Sequence, residues 1–187
     1  MFYMKMNEHM TLKQLDLREE EVLFRLVDRN RSHLRNWVPW VDGTKSIEDT
    51  RNFLAFCESQ YKHAKLINAG IWYQDELVGC IGYNEVNQHN RFAKIGYWLS
   101  EDMQGRGIMR LACAEMVRYG FQEMGLNRIE IRVAKSNHRS KAIPQKLGFV
   151  QEGMIRQAEW LYDHYVDHLV FGLLREEYEK NENLVLK

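Results

Sequence analysis

The sequence predicts a mixed α/β fold of the α+β kind, with a largely antiparallel central sheet of about seven strands flanked by helices. Three observations carry this reading. Apolar residues alternate along Phe92–Leu99, where Ala93, Ile95, Tyr97 and Leu99 share one face, and along Arg128–Val133. The period becomes helical in Arg18–Asn30 and in Gly107–Met124. Three successive strands in the middle of the chain have short connections, as in an antiparallel meander, whereas helices separate the later ones.

Taken in order, His9–Leu15 alternates and reads as the first strand. Arg18–Asn30 sets Val22, Leu23, Leu26 and Val27 at helical spacing, and Ser32–Trp37 reads as a short second helix stopped ahead of Pro39. Ser46 opens a longer helix, because Ser46-Ile47-Glu48-Asp49 supplies a cap and early acids. Phe53, Leu54, Phe56, Cys57, Gln60 and Tyr61 carry that helix to about Ala64. Lys65–Tyr73 and Leu77–Val86 read as strands around a Gln74-Asp75-Glu76 turn, and His89-Asn90 turns the chain into Phe92–Leu99. Gly107–Met124 is a long helix, with Gly125 as its C-terminal cap. Arg128–Val133 is a strand, and Ser136–Leu147 is a helix despite Pro144, ended by Gly148. Phe149–Ala158 and His164–Leu174 are two last strands, joined across Glu159–Asp163. The tail from Arg175 is charged and expected to be mobile.

A chain of 187 residues, 45% of them hydrophobic, suits one domain with a sizeable core. There are two prolines, no stretch rich in Ser, Gly or Pro, and no solenoid-type repeat. The expectation is one domain over 1–187, with its core at 9–174 and a charged tail at 175–187. Lys plus Arg and Asp plus Glu balance at 26 each, so net charge gives no drive toward nucleic acid or an anionic membrane. Cys57, Cys80 and Cys113 show neither a zinc spacing nor a disulfide framework, which fits a reducing cytoplasm. Met1 to Met10 contains Lys5, Glu8 and His9 and lacks the apolar region of a signal peptide. No run approaches the ~18 apolar residues of a membrane span.

The segment from Trp98 to Met109 holds the most chemistry. A strand runs out, Gln104-Gly105-Arg106-Gly107-Ile108 follows, and a helix starts. Such a junction leaves several backbone N–H groups aimed at one point, with the positive helix end behind them, and a pyrophosphate fits there. Gly105 and Gly107 allow close backbone approach, and Arg106 and Arg110 add charge. A Walker loop is excluded because Ile108-Met109-Arg110 follows Gly107, and a Rossmann fingerprint because Arg110 stands where the third glycine belongs. A plain glycine turn remains the alternative for two glycines alone.

Gln-x-x-Gly-x-Gly/Ala after a strand resembles the coenzyme-A signature of the GNAT acetyltransferase superfamily. Gln104, Gly107 and Ile108 fit it, and Met109 stands in place of its final small residue. Lys94-Ile95-Gly96-Tyr97-Trp98-Leu99, Asn127-Arg128, Asn137-His138-Arg139-Ser140, Leu147-Gly148-Phe149 and Glu152-Gly153 extend the resemblance over roughly Met10 to Leu174. The set is similar to the branch of RimJ/RimL-type ribosomal-protein N-terminal acetyltransferases. The resemblance implies splayed fourth and fifth strands, here Phe92–Leu99 and Arg128–Val133, with the pantetheine pairing to the open edge of the fourth. It implies acetyl-CoA held by Tyr97, Trp98, Leu99, Gln104, Gly105, Arg106, Gly107, Ile108 and Met109, with Asn137 and Ser140 on the pantetheine arm. An oxyanion-stabilising N–H is expected near Tyr97–Leu99.

Direct attack of an amine on a thioester sets three tasks: removing the ammonium proton, stabilising the oxyanion, and protonating the departing thiolate. An α-amine with a pKa of ~8 needs only a carboxylate, acting directly or through water. The resemblance places the catalytic glutamate at Glu159, in the turn between the last strands; a solvent-exposed turn carboxylate is the other reading. It places Ser140 at the sulfur as the thiolate's hydrogen-bond donor. The other reading has Asn137 or Ser136 capping the helix and Ser140 facing solvent. The cysteines sit in apolar patterns and read as buried and inert, with an acyl-cysteine route as the minor option.

No metal is expected. His164 and His168 lie ~13 Å apart on a strand and cannot share an ion. Lys135, His138, Arg139, Lys141 and Lys146 form a basic stretch, either a solvated face or a contact for RNA or the coenzyme's 3′-phosphate. Trp37, Trp40 and Tyr61 fall in helices that, by resemblance, cover the acceptor groove; core packing is the alternative. The leading expectation is an N-acetyltransferase working through a ternary complex on a protein N-terminal amine, a ribosomal one by resemblance. A small amine (polyamine, amino acid or aminoglycoside) is the rival acceptor. A non-catalytic coenzyme-A sensor and an RNA-binding module are the rival classes. A cytoplasmic homodimer, without direct contact to nucleic acid or membrane, completes the expectation.

Overall fold

The computed structural model describes residues 1–64 and 66–180. Its strands are β1 (Tyr3–Lys5), β2 (Met10–Gln14), β3 (Asn68–Tyr73), β4 (Glu76–Asn87), β5 (Phe92–Leu99), β6 (Arg128–Ala134), β7 (Val150–Leu161) and β8 (His164–Leu174). Its helices are α1 (Glu20–Arg29), α2 (Arg31–Leu34), α3 (Ile47–Ala64), α4 (Ile108–Gln122), α5 (His138–Lys146) and α6 (Arg175–Lys180). The strands form one open sheet in the order β1-β2-β3-β4-β5-β6-β8-β7. The expected mixed, mostly antiparallel sheet is present, with eight strands rather than seven. The additional one, β1, is three residues long, too short for an alternation to be read, and pairs antiparallel with β2. The chain divides into two compact units, Met1–Gly82 with Tyr97–Ile108, and Tyr83–Gly96 with the described part of Met109–Lys187.

In the first unit, β2 buries Met10, Leu12 and Gln14 on alternate positions, as its period requires. Gln74 and Asp75 turn β3 into β4 with φ of 51° and 64°, a two-residue hairpin turn that matches strand twist. A 3₁₀ turn, Leu17–Glu19, leads into α1. Asp16 accepts from Arg18 N at 2.9 Å while Glu19 Oε2 accepts from Asp16 N at 2.9 Å, closing a capping box. At the start of α3, Ser46 and Asp49 do the same. Leu23, Leu26, Val27, Leu34, Val41 and Leu54 form the core of this unit. Of the apolar positions along α3, Leu54 and Cys57 are buried, whereas Phe53 and Phe56 face solvent.

In the second unit, β5 and β6 run parallel. They are the expected fourth and fifth strands of the family fold. Their ladder runs from the pair Phe92–Arg128 to the pair Ile95–Ile131 and ends before either strand does. β8 pairs antiparallel with both β6 and β7. α4 buries Ala112, Cys113, Met116, Val117 and Phe121. Gly120 is required there, because a Cβ would sit 2.8 Å from Tyr83 Oη and 2.9 Å from Ile129 Cδ1. Tyr83 Oη donates to Met116 O at 2.6 Å, which satisfies a buried hydroxyl. The tail expected to be mobile from Arg175 is instead helical through Lys180. Tyr178 is buried and stacks on Phe121 at 5.0 Å, and Arg175 Nε donates to Leu126 O at 2.9 Å. Burying one such ring contributes about 1.5–3 kcal/mol toward docking this short helix. Residues 181–187 of that tail lie outside the described residues. No helix among the described residues is long and apolar enough to cross a membrane.

Candidate active site

The first unit holds the glycine loop. β5 ends at Leu99, and Ser100 N donates to Val78 O at 2.8 Å. Glu101–Met103 makes one 3₁₀ turn, Gln104 is extended, and α4 starts at Ile108. Gly105 and Gly107 both have φ of 77°, a backbone that L side chains resist. A Cβ at either glycine would meet no atom within 4 Å. Packing is therefore not what demands glycine here. The open space lies at the start of a helix whose first N–H groups lack intrahelical acceptors. A pyrophosphate suits such a cradle. Arg106 is exposed, with Nη2 3.3 Å from Asp102 O. Ile108 and Met109 are buried, so Met109 takes the place of the signature's small residue within the core.

Two contacts of this loop come from distant parts of the chain. Gln104 Nε2 lies 2.8 Å from His33 Nε2, and Glu101 N donates to Asn30 Oδ1 at 3.0 Å. Each partner is 71 residues away in sequence, so no local pattern signals it. Tyr97 and Trp98 are half-buried, and Leu99 is buried. The rings of Trp98 and Trp40 meet at 5.9 Å, tilted by 56°. Trp37 and Tyr61 are half-buried.

The second unit holds the other predicted residues. Asn137 caps α5, its Oδ1 accepting from Ser140 N at 3.0 Å. That is the capping alternative, although Ser140 is half-buried rather than facing solvent. Glu159 is not in a turn. β7 runs on to Leu161, with Tyr162 at φ 60° in the turn, and Glu159 pairs with Val166. The cause is a bulge between Ile155 and Glu159. Gln157, at φ 49°, donates its N–H to Asp167 Oδ1 at 2.9 Å. Unbulged pairing continued from Ile155–His168 would set Glu159 opposite His164; the bulge moves it to Val166, a diagonal neighbour of His168 on the same face. Glu159 Oε2 consequently lies 3.4 Å from His168 Nε2, both side chains largely covered. His164 pairs with Asp163 at 2.5 Å, not with His168.

The cysteines are free. Burial pushes the Cys57 thiol up to about 12 and raises Cys80 and Cys113 further, which opposes thiolate formation. Among the described residues, no group of three His, Cys, Asp or Glu side chains is placed to hold a metal ion.

A family model for the acetyltransferase (GNAT) domain matches residues 9–150. The chain belongs to this family. The acetyltransferase is 33% identical over 180 residues to the putative ribosomal N-acetyltransferase YdaF of Bacillus subtilis (strain 168), covering 96% of this chain and 98% of that one. It is 32% identical over 165 residues to the ribosomal-protein-serine acetyltransferase of Escherichia coli (strain K12), covering 87% and 91%. RimL, a ribosomal α-N-protein acetyltransferase solved with coenzyme A, superposes with a TM-score of 0.89 at 25% identity, covering 92% and 98%. The protein is thus an acetyl-CoA-dependent N-acetyltransferase related to ribosomal-protein acetyltransferases.

Proposed function

We propose that this acetyltransferase modifies the N-terminal α-amine of a protein, a ribosomal one in the first instance, by direct attack in a ternary complex. Glu159 is the base that takes the ammonium proton, and Ser140 donates a hydrogen bond to the departing thiolate. Acetyl-CoA supplies the acetyl group as a thioester, its pyrophosphate held by Gly105, Arg106, Gly107 and Ile108, and its pantetheine by Tyr97, Trp98, Leu99 and Asn137. The observation that carries the base assignment is the bulge in β7, which holds a largely covered carboxylate beside His168 rather than leaving it in a turn. A bulge of that kind re-aims a side chain at a defined place and is common next to reactive sites. The acceptor class rests on the ribosomal relatives named above.

Residues 1–187 are taken as one domain, because the family match runs through segments of both compact units. The reading extends to a metal-free cytoplasmic homodimer, which light scattering and metal analysis of the purified protein test. The acceptor is tested with acetyl-CoA and a panel of N-terminal peptides from ribosomal proteins, set against polyamines, amino acids and aminoglycosides. Preferential acetylation of an α-amine, located by fragmentation mass spectrometry, supports the reading. Preferential acetylation of a small amine replaces it. Coenzyme binding without any acetylated product points to a sensor.

A further inference from the structure

We infer that the corner joining α1 to α2 holds the coenzyme loop in its binding shape, with His33 and Asn30 as positioning residues. The inference rests on the reading of Gln104–Ile108 as the coenzyme cradle and goes beyond it by assigning a role to residues outside the loop. Three contacts carry it, all from residues 30–40 to residues 98–104. Asn30 is 7% exposed and uses both ends of its amide. Its Nδ2 donates to Leu26 O at 2.8 Å, in the last turns of α1, and its Oδ1 accepts from Glu101 N at 3.0 Å. His33 meets the side chain of Gln104 at 2.8 Å, and Trp40 packs on Trp98 where β5 runs out. The strand end, the 3₁₀ turn and the first residue of the glycine segment are each held by one of them.

The loop needs such struts. Gly105 and Gly107 carry the greatest backbone freedom of any residue, and their surroundings are open. Left alone, this stretch would sample many shapes, and a ligand would have to order it on binding. Fixing Glu101 and Gln104 in advance removes part of that ordering cost, which appears as affinity. The bonds are also hard to replace. A buried amide that bridges two backbone groups is lost with either end of Asn30, and leaving the other group unsatisfied is costly. The side chain of Gln104 therefore acts as a strut, while the backbone that follows it forms the cradle.

The test is calorimetric titration of the full chain with coenzyme A, alongside Tm, for the wild type, His33→Ala, His33→Gln and Gly107→Ala. Loss of one hydrogen bond that preorganises the loop should raise the Kd of His33→Ala about fivefold. Its Tm should stay within a few degrees of wild type, and His33→Gln, which keeps a polar group at similar reach, should recover the affinity. A Kd for His33→Ala within about twofold of wild type, while Gly107→Ala loses affinity, overturns the positioning role. Equal losses in His33→Ala and His33→Gln also overturn it, since the hydrogen bond would then not be what matters. If Gly107→Ala binds like wild type, the cradle reading itself fails and takes this inference with it.

Discussion

Gly107 and Gly125 form a matched pair for testing where the pyrophosphate sits. Both have left-handed backbone, with φ of 77° and 67°, and a Cβ added at either meets no atom within 4 Å. Alanine at each position therefore costs the same kind of strain, about 1–2 kcal/mol for an L side chain in that region. In a chain of this size, that lowers Tm by about 2–8 °C. Only at Gly107 does the added methyl also enter the open space in front of the α4 start. A hydrogen bond to a charged group is worth about 1.5–3 kcal/mol, so displacing one raises the Kd for acetyl-CoA about tenfold to a hundredfold. Gly107→Val, with its branched side chain, should abolish measurable binding. Calorimetric titration with acetyl-CoA and scanning calorimetry on each variant read the two effects separately. If the variants lose similar Tm but Gly107→Ala and Gly107→Val keep wild-type affinity, the pyrophosphate is not at this loop and the glycines only make a turn.

Glu159→Gln keeps the shape of the side chain and removes the proton acceptor, so kcat should fall about 10²–10⁴-fold while coenzyme affinity holds. His168→Ala should cause a smaller fall and add nothing in the double variant, because it acts through Glu159; wild-type kcat in Glu159→Gln would discard the base assignment. Asp16 tests the capping box by pH. The hydrogen bond from the Arg18 side chain holds the Asp16 carboxyl below its ordinary value of 3.8. A carboxyl depressed in the folded state stabilises fully above its unfolded value, and that contribution is lost as pH falls through the folded one. The stability advantage of wild type over Asp16→Asn should thus be complete at neutral pH and shrink below 3.8. Urea unfolding at stepped pH measures it, and a difference that stays constant into acid would show that the charge contributes nothing.

The limits of β5 and β8, and the glycine ends after α4 and α5, were legible because each depends on neighbouring residues: alternation in a strand, or a positive φ that only glycine takes easily. The glycine loop was legible for the same reason. A strand, two glycines and a helix start are contiguous, so the sequence by itself determined the family, and the proposal that this loop holds the coenzyme rests on that contiguity. β1 escaped because three residues show no period, and it exists only by pairing with β2. No local signal marks the bulge that takes Glu159 out of the turn; Asp167, ten residues after Gln157, stabilises it by accepting from Gln157 N. Only the tertiary structure brought His168 to Glu159, and His33 and Asn30 to the glycine loop. Those meetings depend on register and on the packing of distant segments, where a shift of one residue turns a side chain to the opposite face.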